Sequence, residues 1–150
     1  MPQSLSQVNL HITFSTHNRN PLILKELKNE MYAYIATICK SNKSNPIKIG
    51  GSTDHIHIVT TLHRTVTISK LLEEIKKTSS KWFKEKDERV RNFSWQCGYA
   101  AFSVSQSQLP QLIQYIEQQE QHHKKKSFQD ELREFLTANG VEYDERYIWD

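Results

Sequence analysis

Apolar and polar residues alternate without a break from Val8 to Phe14, and the alternation returns in the His55–Val59 stretch, from His55 to Ile58. A period of two marks a half-buried β-strand, whereas apolar residues recurring at three and four mark an amphipathic helix. The chain switches between these periods in a set order, and that order narrows its fold more than any other feature. Val8, Leu10, Ile12 and Phe14 are placed on a core face, with Asn9, His11 and Thr13 on the other. After a loop at Thr16–Pro21, a helix is predicted from Leu22 to about Lys43, carried by Leu24, Leu27, Met31, Tyr34, Ile35 and Ile38. Pro46–Gly50 and the His55 strand read as a hairpin across Gly50-Gly51.

A second helix is predicted over Thr65–Lys86, with Ile68, Leu71, Leu72, Ile75, Ser79, Trp82 and Phe83 as its stripe. Trp95–Ser105 reads as another strand, weakened in its first half by Gly98. Leu109–Lys125 is a third helix with Pro110 in its first turn, and Phe128–Asn139 a fourth, stopped at Asn139-Gly140. The order β-α-β-β-α-β followed by α predicts an α+β, ferredoxin-like split βαβ fold: an antiparallel sheet with helices packed on it and an additional C-terminal helix. One domain is expected over residues 1–150. Its tail, from about 141 to 150, is expected to dock through Tyr143, Tyr147 and Trp149 or to stay flexible.

Composition excludes several classes. With 37% hydrophobic and 25% charged residues the chain reads as a polar globular protein, and no apolar run is long enough for a membrane span. Met1–Leu10 lacks the features of a secretion signal, and Cys39 and Cys97 show no Cys-x-x-Cys spacing, so a reduced, cytoplasmic protein is predicted. The net charge of +3 is unevenly spread: residues 1–50 hold six Lys/Arg against two acids, residues 64–91 nine against five, and residues 129–150 two against seven. This suits a basic face for a phosphate backbone and an acidic tail turned elsewhere.

The chemistry enters at Gly50-Gly51-Ser52-Thr53-Asp54-His55-Ile56-His57-Ile58. On a strand His55 and His57 share one face, so two imidazoles can offer lone pairs to one divalent ion. Two ligands leave a site incomplete. Tyr115 and Gln119 are four apart in the third predicted helix, hence on one face, and His122 joins that face approximately. An amide oxygen is a serviceable ligand for a hard cation such as magnesium or manganese.

The ordered set resembles the single-tyrosine HUH transposases of the IS200/IS605 type. It comprises the Gly-Gly-x-x-Asp-His-Ile-His-Ile lead-in, Gly98–Ser105, Tyr115-Ile116 with Gln119, His122 and His123, Ser127–Leu132, and Tyr147-Ile148-Trp149. The resemblance implies cleavage and rejoining of single-stranded DNA at hairpin-marked element ends. His55, His57 and Gln119 would hold Mg2+ or Mn2+. Tyr115, on a C-terminal catalytic helix, would attack the scissile phosphate to leave a 5′-phosphotyrosine link and a free 3′-hydroxyl. It also implies a homodimer, with Tyr115 acting in cis or in trans, and a DNA-associated protein in a bacterial or archaeal cytoplasm.

Other residues carry lesser expectations. Asn9 and His11 lie on a strand neighbouring His55–Val59 and are candidates to support the metal ligands. His122 is a candidate phosphate contact or a support for Gln119. Lys76, Lys77 and Lys81 either line DNA or form a solvated helix face. Two rival readings share these residues: a domesticated HUH nuclease acting on host repeats, and a non-catalytic module binding single-stranded nucleic acid, for which Trp82 or Trp95 would stack bases.

Overall fold

In the computed structural model, which describes residues 2–119 and 125–150, four strands form one antiparallel sheet. They are β1 (Asn9–Ser15), β2 (Pro46–Gly51), β3 (His55–Thr61) and β4 (Ala100–Ser103), in the order β2-β3-β1-β4. Helices α1 (Lys28–Ser41) and α2 (Ile68–Lys86) cover one face. The opposite face is covered by α3 (Leu109–Glu117) and α4 (Phe128–Ala138). This is the predicted α+β arrangement, and it explains why all seven residues of β1 are buried. Leu10, Ile12 and Phe14 meet α1 and α2, while the polar alternates lie beneath the two C-terminal helices.

The boundaries depart from the sequence reading for local reasons. The first helix begins at Lys28, not Leu22, because Ile23 N–H donates to the Thr53 carbonyl (2.9 Å) and ties this segment to the β2–β3 turn. It ends before Lys43, whose φ of 61° is left-handed. The second helix starts at Ile68, with Thr67 as its cap accepting from Lys70 N–H (3.1 Å). Val8, placed on the core face by its alternation, precedes β1 and is 41% exposed. Trp95 makes only an isolated bridge to Thr16. The predicted strand is short because the Gln96, Cys97 and Gly98 carbonyls turn toward the Lys76 ammonium, at 2.9, 3.0 and 2.5 Å.

The third helix, predicted to Lys125, has Glu117 as the last residue of α3, with Gln118 as its C-cap. Residues 120–124 lie outside the described residues, and His122 and His123 with them. In the tail, Ile148 and Trp149 pack against the α4 cluster, and Trp149 lies under the Arg19 and Arg133 guanidinium groups. The Asp150 carbonyl accepts from Gly98 N–H (2.8 Å). Tyr143 and Tyr147 remain exposed, unlike Trp149.

Two glycines set the geometry at the β2–β3 end. A Cβ at Gly50 would stand 2.5 Å from Ile116 Cγ2 and 3.2 Å from its carbonyl oxygen, so α3 seats directly on the backbone of β2. At Gly51, φ is +155° and a Cβ would meet the His55 carbonyl at 2.3 Å.

Candidate active site

β3 presents His55 and His57 on the face covered by α3 and α4, and both rings are fully buried. The β1–β3 register sets Thr13 opposite His57 and His11 opposite Val59. His11 is therefore a diagonal neighbour of His57, about 7–8 Å away and within reach of two rings. His11 Nε2 lies 2.8 Å from His57 Nδ1, with ring centroids 5.0 Å apart. Burial, and next the adjoining His57, pull His11 down to about 3. A neutral ring there shares one proton with His57 and fixes its tautomer.

Helix α4 delivers Glu131, a carboxylate only 1% exposed. Its Oε1 stands 2.8 Å from His57 Nε2 and 3.6 Å from His55 Nε2. Its Oε2 accepts from the Tyr115 hydroxyl and from Gln119 Nε2 (3.2 Å). Gln119, just past the end of α3, also turns that amide nitrogen toward the Tyr115 carbonyl (3.5 Å). Both contacts need a donor, so the amide oxygen is left facing His55 Nε2 at 2.9 Å.

The other nitrogen of His55, Nδ1, is 2.7 Å from Asp54 Oδ1. A neutral imidazole has one proton for these two oxygens. With that proton on Nδ1 toward the carboxylate, the Nε2 lone pair faces the Gln119 oxygen. Such opposed lone pairs are stabilised by a cation between them. His55, His57 and Glu131 offer ligand atoms within 4.8 Å of one another, and Gln119 adds a fourth donor. Two imidazoles, a carboxylate and an amide oxygen fit a divalent ion such as manganese, and magnesium with more of its water retained.

Tyr115 is held at the edge of this cluster. Burial and the Glu131 carboxylate push its phenol well above the ordinary tyrosine value. The phenol is thus protonated at rest, and positive charge nearby would oppose both the carboxylate and the loss of hydration.

The structure brings Tyr115, His55, His57, Gln119 and His11 together. Asn9 goes elsewhere: it accepts from Gln7 (2.9 Å) and donates to Gln106 Oε1 (3.1 Å), pinning the turn that precedes α3. Lys76 is occupied by its three carbonyls and lies over the Phe14 and Tyr99 rings. Burial lowers its pKa to about 8. Lys77 and Lys81 are exposed on α2, which packs on the far face of the sheet.

Glu131 is the residue that the sequence reading missed. A signal was present, for Phe128, Leu132, Phe135 and Leu136 form the apolar stripe of α4, and Glu131 falls within it. A carboxylate on an apolar stripe needs a partner.

The family model for transposase, IS200 like, matches residues 4–119. The chain belongs to the IS200-like transposase family. No curated protein matches at a significant level. A solved structure from Deinococcus radiodurans R1, assigned there as a transposase, shares 18% identity with a TM-score of 0.61, covering 79% of this chain and 98% of that one. A REP-associated tyrosine transposase bound to a REP hairpin shares 16% identity with a TM-score of 0.61, covering 82% and 72%. At these identities the likeness is one of fold. For this transposase the matched stretch ends at Gln119, so Glu131 and α4 lie beyond it.

Proposed function

We propose that this transposase cleaves and rejoins single-stranded DNA at hairpin-marked element ends through a 5′-phosphotyrosine intermediate, with Tyr115 as nucleophile. The supporting observation is the convergence on Glu131: one oxygen meets His57, and the other holds the Tyr115 hydroxyl. A nucleophile anchored beside a cation-binding donor set is positioned for a phosphate held there.

In this reading His55, His57, Glu131 and Gln119 hold a divalent ion, Mg2+ or Mn2+. When bound, the ion offsets charge developing on the phosphoryl oxygens. Asp54 and His11 orient the two ligand rings, and Glu131 and the end of α3 aim the phenol. The Tyr115 oxygen forms a bond to phosphorus as the bond to O3′ breaks. The phenol proton is released to solvent, and O3′ takes up a proton to leave as a free hydroxyl. One phosphodiester replaces another, so the reverse reaction on a second strand needs no further energy source.

The Tyr115 hydroxyl meets Glu131 of its own chain, as action in cis requires; the homodimer, with Tyr115 acting in cis or in trans, belongs to the same proposal through the resemblance. The hairpin bound by the REP-associated neighbour supports a folded single strand as substrate. A domesticated nuclease acting on host repeats would use the same residues and differ only in the strand it recognises. Its location would be that of DNA, in the cytoplasm; among the described residues no helix is long and apolar enough to cross a membrane.

The test is covalent capture. The protein is mixed with 3′-labelled single strands from both ends of its own gene, with manganese, and resolved on a denaturing gel. A labelled, protein-sized band is expected for wild type and absent for Tyr115→Phe. Hairpin binding without any band would point to the non-catalytic binding module.

A further inference from the structure

Two cavities flank the end of α3. One, of about 390 Å3, opens toward β2 and is lined by Lys28, Lys48, Glu117 and Gln119 among others, with Lys48 paired to Glu117 at 3.2 Å. The other, of about 410 Å3, lies on the β4 side between α3 and α4. Its walls are Phe102, Leu112 and Phe135, its rim carries the amides of Gln108, Gln111 and Asn139, and its inner end is formed by Tyr115 and His11. We propose that this second cavity receives an unpaired nucleobase of the substrate strand, next to the bond that Tyr115 attacks. The inference rests on the function proposed above and names the part of the substrate that this side of the site reads.

The chemistry of the lining selects the occupant. Among the described residues its lining holds no Lys or Arg, and its one carboxylate, Glu134, is paired with the Lys126 ammonium at 2.5 Å, so the cavity offers a phosphate no cation of its own. Its volume falls in the range of about 300–1,000 Å3 found for small-molecule sites. Aromatic walls with amides at the mouth suit a flat heterocycle with hydrogen-bonding edges. The buried Phe102 ring stacks on Phe135, 26° apart with centroids at 6.0 Å, so the half-buried Phe135 ring is the aromatic surface open to the cavity. Asn139 donates its amide nitrogen to the Phe135 carbonyl (2.8 Å), which leaves its oxygen as an acceptor. Gln108 and Gln111 are exposed and can supply either a donor or an acceptor.

Position selects which base. Tyr115 lines the cavity and also reaches Glu131, so a phosphate at the donor set and a base in the cavity belong to adjacent nucleotides. The strand's charged backbone would then pass toward the Lys28 and Lys48 side. The neutral base would turn to the other side, where the aromatic and aliphatic walls lie.

Photocrosslinking and cleavage together test this. Single strands from the gene's own ends carry 5-iodouracil at one position at a time and are irradiated with the Tyr115→Phe protein. A parallel set carries single abasic sites and is cleaved by wild type, Gln111→Ala and Gln111→Trp, whose folding is checked by circular dichroism. Crosslinks from a position flanking the cleaved bond are expected to map to the peptides holding Phe102 or Phe135. An abasic site there should slow wild-type cleavage by about tenfold, the equivalent of one lost base stack.

Gln111→Trp, which fills the mouth, should abolish that crosslink and erase the abasic effect. Gln111→Ala should flatten the preference among the four bases at that position. Crosslinks that map only to the Lys28 and Lys48 side, or a Gln111→Trp protein that crosslinks and discriminates as wild type does, overturn the base pocket while leaving the tyrosine reaction standing. Failure of the wild type to bind or cleave any strand overturns both.

Discussion

The two faces of one sheet are built on opposite principles. Under α1 and α2 lies one continuous apolar cluster running from Leu10 through Ile56, Ile75 and Phe83 to Trp95. Under α3 and α4 the apolar contacts divide into two small groups, one around Val59, Leu109 and Ile116 and one around Phe102, Phe128, Leu132 and Leu136. His11, His55, His57, Gln119 and Glu131 occupy the space between them, and all five are buried. Apolar burial is non-directional and scales with area. A buried polar group is tolerated only with correctly placed partners. One face therefore carries the stability, and the other gives up apolar area to hold a set of donors in fixed directions.

Substitutions on the two faces should separate accordingly. Phe83→Ala, removing a fully buried ring stacked on Phe93 at 4.4 Å, is expected to cost about 3–5 kcal/mol in urea unfolding. It should leave the chemistry of the folded fraction unchanged; equal loss of specific activity per folded molecule would break the comparison.

Manganese offers the next effect. At about 100 times its dissociation constant, a ligand that binds only the folded state adds about 2.7 kcal/mol. That gain should appear in thermal unfolding of wild type and vanish in His57→Ala. Persistence of the gain in the variant would place the ion elsewhere.

Lys76→Met probes the seam between the faces. The Gln96, Cys97 and Gly98 carbonyls would lose their shared donor, a cost of about 2 kcal/mol for poorly satisfied acceptors. DNA affinity measured by anisotropy should barely change; a large loss of affinity would return Lys76 to the role of a DNA contact.

The smallest effect is expected from Asp54→Asn. It keeps the shape beside His55 but weakens its orientation, and manganese affinity by calorimetry should fall by about tenfold. Unfolding stability should hardly move.

What the sequence revealed follows from the range of each interaction. Alternation and helical spacing are local, so the strands, the helix order and the shared face of His55 and His57 could be read directly. Tyr115 and Gln119 were singled out through one helical face, although α3 ends at Glu117 and tertiary hydrogen bonds orient Gln119. Lys76 resembled any lysine on a solvated helix, because its cage comes from backbone carbonyls twenty residues on. Val8 extended an alternation that the sheet itself does not use. Glu131 was marked by its place on an apolar stripe, yet that pattern says only that a partner exists. Its partners come from β3 and α3, and no spacing links them.

The division of labour within the Glu131 carboxylate has a thermodynamic corollary. One oxygen belongs to the histidines and the other to the phenol, so the two sites share a single rigid lever. Whatever draws the carboxylate toward His57 alters the hold on Tyr115, and linkage makes this reciprocal in free energy. Under the proposed function, cation loading and nucleophile aim would be two readings of one equilibrium: an occupant that tightens the phenol's grip is bound more tightly by that grip, in equal measure.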